Sequence, residues 1–285
     1  MGQSTKNRFE ARIIGIITAS NLTDPAMWDA LKLCDMAELR VDGFPPGHVI
    51  EAAHSFRRES LLKLGRPIET LLTIRLQRDG GAWPDADAAI REPIWQSLIH
   101  NGQEPGGEPG GQGPLCDWID VEVEEFASLS YQTRTLLLSG RAKLLLSHHD
   151  FLRCRPREGL AALMGEMRAH NPAGMKFAVT CENHRDLLEL LAFARELAEA
   201  TPNGCALSMG ASGRSSRVLG PVLGCPFTYG YLTGGAVAPG QLSAGELRAF
   251  FDGLDIGAMR KRRGAHDMEL VDWAEARIAG DTFAD

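Results

Sequence analysis

Eight short apolar runs recur along the chain, at residues 12–18 (RIIGIIT), 36–42 (MAELRVD), 71–76 (LLTIRL), 118–123 (WIDVEV), 143–149 (KLLLSHH), 174–180 (GMKFAVT), 205–210 (CALSMG) and 227–233 (FTYGYLT). Each has the length and residue types of a strand. Segments with helical spacing lie between them. Asp24-Pro25 reads as a cap and first helical position opening PAMWDALKLC. RDLLELLAFARELAEA (185–200) repeats leucine at helical intervals, and REGLAALMGEMRAH and SAGELRAFFDGL do the same. Strands that alternate with helices pair in parallel, and eight such units close a (β/α)8 TIM barrel. The expectation is therefore a single α/β domain over 1–285. Its barrel covers about 12–252, and a charged extension at about 253–285 carries one more helix. An open doubly wound sheet would want a Gly-rich turn after an early strand. The glycines of 101–115 instead precede a strand, and they predict a flexible loop on the face opposite the strand C-termini.

Composition narrows the function classes. With 44% hydrophobic and 24% charged residues the chain is of the soluble globular kind. A net charge of −7 argues against nucleic-acid partners and anionic membrane surfaces, both of which want a basic face. The six cysteines are scattered without a C-x-x-C pair, which fits free thiols in a reducing compartment. The N-terminal segment lacks the pattern of a signal peptide, and Lys6 stands where a myristoylation motif needs Ser or Thr. No apolar run nears the ~20 residues of a membrane span. A cytoplasmic protein acting on a small molecule is expected.

Barrels build their sites at the C-terminal ends of the strands. The polar residues there include Glu38, Arg40, Asp42, Arg75, Asp120, Glu122, Ser147, His148, His149, Asp150, Lys176 and Ser208. Packing alone has no use for so many. Within GMKFAVT, Lys176 shares its strand face with the small Ala178 and Thr180. A strand lysine commonly pairs with a carboxylate, here Glu122. Inside a barrel, low dielectric and the charges of Arg40 and Arg75 would instead favour the neutral amine, which attacks carbonyls to form a Schiff base. His148 and His149 face opposite ways, so only one can join Lys176 as a proton shuttle. One usable histidine is a poor basis for a metal site. Arg40, Arg75 and Arg217 on different strands or loops point to an anionic substrate, because the guanidinium fork suits a carboxylate.

Six segments then resemble a known family in order and register: ELRVD (38–42), TIR-x-x-x-DGG (73–81), SHHDF (147–151), MKFAV (175–179), SMGASGRSSRVLG (208–220) and APGQLS (238–243). The chain resembles the type I 3-dehydroquinate dehydratases, shikimate-pathway enzymes with class I aldolase-like barrels. The resemblance implies that Lys176 forms an imine with the C3 carbonyl of 3-dehydroquinate. It makes His149 the general acid and base, and Glu38, Arg40, Arg75, Arg217 and Gln241 the groups that hold substrate. It implies no metal or dissociable cofactor, and a homodimer. Two positions depart from the pattern. Asp79 stands where the family usually places a glutamate beside the histidine, and Val237 replaces the serine of S-A-P-G-Q. These departures leave open a weak or inactive barrel that only binds a shikimate-pathway acid. Another Schiff-base enzyme of the aldolase type is the remaining alternative.

Overall fold

The computed structural model describes residues 11–100, 114–210, 213–254 and 267–280. Eight strands form one parallel sheet: β1 (Arg12–Ile17), β2 (Met36–Arg40), β3 (Glu69–Thr73), β4 (Trp118–Glu122), β5 (Lys143–Asp150), β6 (Gly174–Thr180), β7 (Gly204–Met209) and β8 (Phe227–Tyr231). The hydrogen-bonded order is β7-β6-β5-β4-β3-β2-β1-β8, and β7 approaches β8 to leave a nearly closed barrel. The helices between strands are α1 (Ala26–Leu31), α2 (Val49–Leu64), α3 (Arg91–His100), α4 (Val123–Phe126), α5 (Tyr131–Leu137), α6 (Arg157–Ala169), α7 (His184–Ala200) and α8 (Gly213–Leu223). Two more follow β8, α9 (Ala244–Asp252) and α10 (Asp267–Ala279). The architecture is the (β/α)8 barrel that the alternating runs predict. Most of the glycine-rich 101–115 loop lies outside the described residues.

Strand alternation divides the apolar residues into two cores. Outward-facing side chains such as Leu39, Leu72, Ile119, Leu146, Phe177 and Val179 pack beneath the helices. Inward-facing ones, including Ile14, Ile16, Met36, Leu71, Trp118, Leu145, Leu207 and Tyr229, form a second cluster in the lumen. This cluster fills the barrel, so the polar groups above it stand on a packed floor. α10 lies against α7, α8 and α9. Trp273 meets Phe250 edge-on at 5.7 Å, and Arg195 pairs with Asp267. No helix among the described residues is long and apolar enough to cross a membrane.

Local chemistry explains the element ends. Asn183 caps α7 by accepting from the Asp186 N–H at 3.1 Å, and Ser243 with Glu246 forms a capping box on α9. At the first helix Pro25 takes the cap position, and Asp24 accepts from the Ala26 N–H at 3.0 Å.

α8 forms where the Gly/Ser-rich segment MGASGRSSR (209–217) has the composition of a loop. The helix begins at Gly213 and therefore carries Arg217. A side chain at Gly213 would sit 2.8 Å from the Ser208 carbonyl and 3.1 Å from that of Pro239, so glycine is what lets this turn approach β7 and the 239–240 loop. Pro221 has no N–H to give the Arg217 carbonyl four residues earlier. The hydroxyl of Thr228 on β8 donates to that carbonyl instead, at 2.7 Å. An irregular helix is thus held to the barrel where Arg217 must be aimed.

Candidate active site

One pocket at the C-terminal end of the barrel is lined by the eight positions that the family resemblance picks out: Glu38, Arg40, Arg75, Asp79, His149, Lys176, Arg217 and Gln241. Lys176 is 6% exposed. Its Nζ lies 3.9 Å from Glu38 Oε1, 3.8 Å from Asp120 Oδ2 and 4.1 Å from the centre of the Tyr229 ring. The carboxylate neighbours are therefore Glu38 and Asp120, whereas Glu122, the partner suggested by the sequence, is taken by two arginines.

The three arginines are not equivalent. Arg40 grips Asp42 with both ends of its fork, at 2.7 and 2.9 Å. Burial opposes charge on Asp42, but Arg40 and the Ala82 N–H outweigh it and hold the carboxyl below its usual range. Arg75 lies 2.6 Å from Asp120 Oδ2 and donates to Glu122 at 2.9 Å and to the Ser147 hydroxyl at 3.0 Å. Burial likewise opposes charge on Asp120, and Arg75, Lys176 and Ser147 together hold it low. Both guanidiniums thus carry a carboxylate at contact distance, pairings that residue type alone does not reveal.

Arg217 is different. It is 2% exposed and pairs with no carboxylate among the described residues. Its Nε donates to the Gly240 carbonyl at 3.2 Å. Burial without a counter-charge lowers it to about 10. Beside it, Gln241 accepts from the Val237 and Ala238 N–H groups at 2.8 and 3.3 Å, and its buried Nε2 has no partner. A charge and a donor left unsatisfied in one pocket make a receptor for an anion.

β5 separates its two histidines. His148 points outward, bonds Glu124 through Nδ1 and packs against Phe177. His149 points into the pocket, where burial first, and then the charges of Arg75 and Lys176, lower it well below the ordinary histidine range. Its imidazole is uncharged at neutral pH, and Nδ1 is buried without a partner.

Behind the pocket runs a chain of alternating charges. From Asp120 and Arg75 it passes through Glu122 to Arg91 (2.7 Å), then to Glu125 (3.1 Å), and on through Arg78 to Asp79 (3.6 Å). Arg91 also donates to the Ile74 carbonyl at 2.9 Å. It thereby ties α3 to the turn that follows β3. Removing one of the fully buried members, Arg75, Arg91, Asp120 or Glu122, would strand a buried charge, a loss of about 3–5 kcal/mol in comparable cases. Arg75 itself lies just past the end of β3. Its carbonyl is only 2.0 Å from where a side chain at Gly81 would begin, so the second glycine of DGG allows this loop to fold back.

A sequence model described as Type I 3-dehydroquinase matches residues 16–257. The chain belongs to the type I 3-dehydroquinase family. Among similar proteins, the 3-dehydroquinate dehydratase of Methanococcoides burtonii is 28% identical over 214 residues, 75% of this chain and 82% of that protein. The same-named protein of Methanococcus vannielii is 27% identical over 222 residues, 77% of this chain and 88% of its own. The fold is similar to the crystal structure of type I 3-dehydroquinate dehydratase from Clostridium difficile with covalently modified comenic acid. That similarity has a TM-score of 0.67 at 23% identity and covers 85% of this chain and 91% of that one.

Against the family pattern, Asp79 shares the pocket with His149, and no hydrogen bond joins them among the described residues. Burial, and next the charge of Glu122, push its carboxyl up to about 6. A group whose folded value exceeds its unfolded 3.8 contributes stability at low pH that is lost as pH rises through 6. Asp79→Asn is therefore expected to melt at a higher temperature than the parent at pH 7–8. The difference should vanish near pH 4, and melting curves across that range would read it. A gain independent of pH would place its origin outside Asp79.

Tyr229 and Phe151 also line the pocket, and neither carries a charge that marks it as functional in the sequence. Aromatic residues in or beside strands read as core, although the inward register of Tyr229 beside Ile14 was a usable signal.

Proposed function

We propose that this chain dehydrates 3-dehydroquinate to 3-dehydroshikimate through an imine on Lys176, with His149 moving the protons. The observation that carries it is the sharing of one buried pocket by an amine, an uncharged imidazole and an uncompensated guanidinium. Lys176, in its unprotonated form, adds to the C3 ketone, and loss of water gives a protonated imine. That imine acidifies the C2–H bond. His149 takes the C2 proton, and the electron pair flows into the imine to make an enamine. The enamine expels the C1 hydroxyl, which receives the proton held by His149, and a syn loss of water results. Hydrolysis of the conjugated imine then frees the product and restores the amine. Arg217 and the Gln241 amide take the substrate carboxylate, while Arg40, Arg75 and Glu38 face its hydroxyls, and Asp79 holds the histidine side of the pocket. The imine is the electron sink, so no metal or dissociable cofactor enters these steps. A cytoplasmic homodimer belongs to the same proposal and derives from the family resemblance.

The test adds 3-dehydroquinate to the purified chain and follows enone absorbance, then repeats the incubation with sodium borohydride. Turnover, inactivation and a covalent adduct on Lys176 are expected. Folded protein that binds the substrate but gives neither product nor adduct would leave the binding-only alternative standing.

A further inference from the structure

Tyr229 is the second inward-facing residue of β8, two strands round the barrel from β6, and its ring is packed in the cluster that contains Ile14, Ile16 and Leu207. The ring is 2% exposed, and its centre lies 4.1 Å from Lys176 Nζ. Two carboxylates, of Glu38 and Asp120, are at 3.9 and 3.8 Å from the same nitrogen. The tyrosine hydroxyl is buried and has no hydrogen-bond partner, so nothing on the protein explains the residue through its oxygen. What the side chain offers Lys176 is its aromatic face.

We infer that Tyr229 is a positioning residue whose ring face holds the Lys176 nitrogen and stabilises positive charge on it during the reaction. This rests on the imine chemistry proposed above. The nitrogen is cationic in the protonated imine, neutral in the enamine and cationic again once hydroxide leaves. A ring face attracts a cation through its quadrupole, more strongly where water is excluded. Unlike Glu38 or Asp120, it has no lone pair that could take the imine proton. The face thus favours the protonated imine, the only form that acts as an electron sink, without competing for its proton.

The experiment compares the full chain with Tyr229→Phe, Tyr229→Leu and Tyr229→Met, using 3-dehydroquinate. It measures kcat, KM, the rate of borohydride inactivation and Tm. Phe keeps the ring and is expected to retain most of kcat. Leu and Met remove the ring and should lower kcat about 5- to 30-fold, the range set by a desolvated cation–π contact. Trapping should slow in parallel, with KM moving less than about twofold. Three results would overturn the inference. Leu and Met could keep parental kcat in the folded protein while only Tm falls, leaving a packing role alone. Phe could lose as much as Leu, which would give the role to the hydroxyl. A parental chain that forms no adduct removes the imine chemistry itself, a failure recognisable before any variant is compared.

Discussion

Replacing Lys176 by alanine is expected to lower kcat/KM for 3-dehydroquinate on the order of 10⁴- to 10⁶-fold and to abolish the borohydride adduct. The size follows from what the amine does. Without an imine the C2 proton must be removed next to an ordinary ketone, and the electron pair has no cationic acceptor. No other lysine is among the residues lining the pocket, so no second amine replaces it. The variant should fold. Glu38 keeps its bond from the Thr73 hydroxyl at 2.8 Å, and Asp120 keeps Arg75 and the Ser147 hydroxyl. The lysine contacts that are lost, at 3.8 and 3.9 Å, are the longest at either carboxylate. Loss of the ammonium also removes one of the charges that keep His149 low, so the histidine should titrate closer to its ordinary range in the variant. NMR titration of the imidazole would detect that. Residual turnover within tenfold of the parent would mean that the reaction does not pass through Lys176.

How much of this was legible beforehand depends on the range of the interaction. The barrel was, because strand runs are local and their number sets the architecture. The inward turn of Lys176 was legible too, since alternation within GMKFAVT is a property of seven consecutive residues. Which arginines are neutralised was not. Arg40 takes its partner two residues away, while Arg75 takes partners 45 and 47 residues on, and only strand register brings those together. Residue type alone presents the two as bare charges near Lys176, and that both are paired appears only in the fold. α8 was hidden by its composition. Gly213, Pro221 and a run of serines read as loop, and the Thr228 hydroxyl that completes the helix comes from another strand. Arg217 was found by residue type, but its lack of a counter-ion, the property that marks it as an anion receptor, exists only in the folded chain.

Replacing His149 by alanine should separate the two halves of the chemistry. General acid–base groups typically contribute 10²- to 10⁴-fold, so kcat is expected to fall by about that factor. Imine formation needs the amine and the ketone but not the proton taken from C2. Borohydride should therefore still label Lys176 in the variant, and the trapped species should be heavier by one water than the adduct of the dehydrated product. The pH dependence of the parent follows from the same residue. Burial, together with Arg75 and Lys176, depresses His149, so the imidazole stays a free base well below pH 6.5. Activity that depends on it should persist through pH 6 and be lost only as pH falls through the depressed value. Stability follows the same sign. The unfolded chain binds a proton at His149 below the ordinary histidine value of 6.5, where the folded chain does not, so this group removes stability progressively as pH falls below 6.5. The His149→Ala variant should lack that part of the acid sensitivity, and comparing melting curves of parent and variant at pH 7 and pH 5 isolates it. If the alanine variant kept parental kcat, or if its adduct carried the mass of the dehydrated product at the parental rate, the proton would be moving through another group, and Asp79, charged above about pH 6 in the same pocket, would be the one to test next.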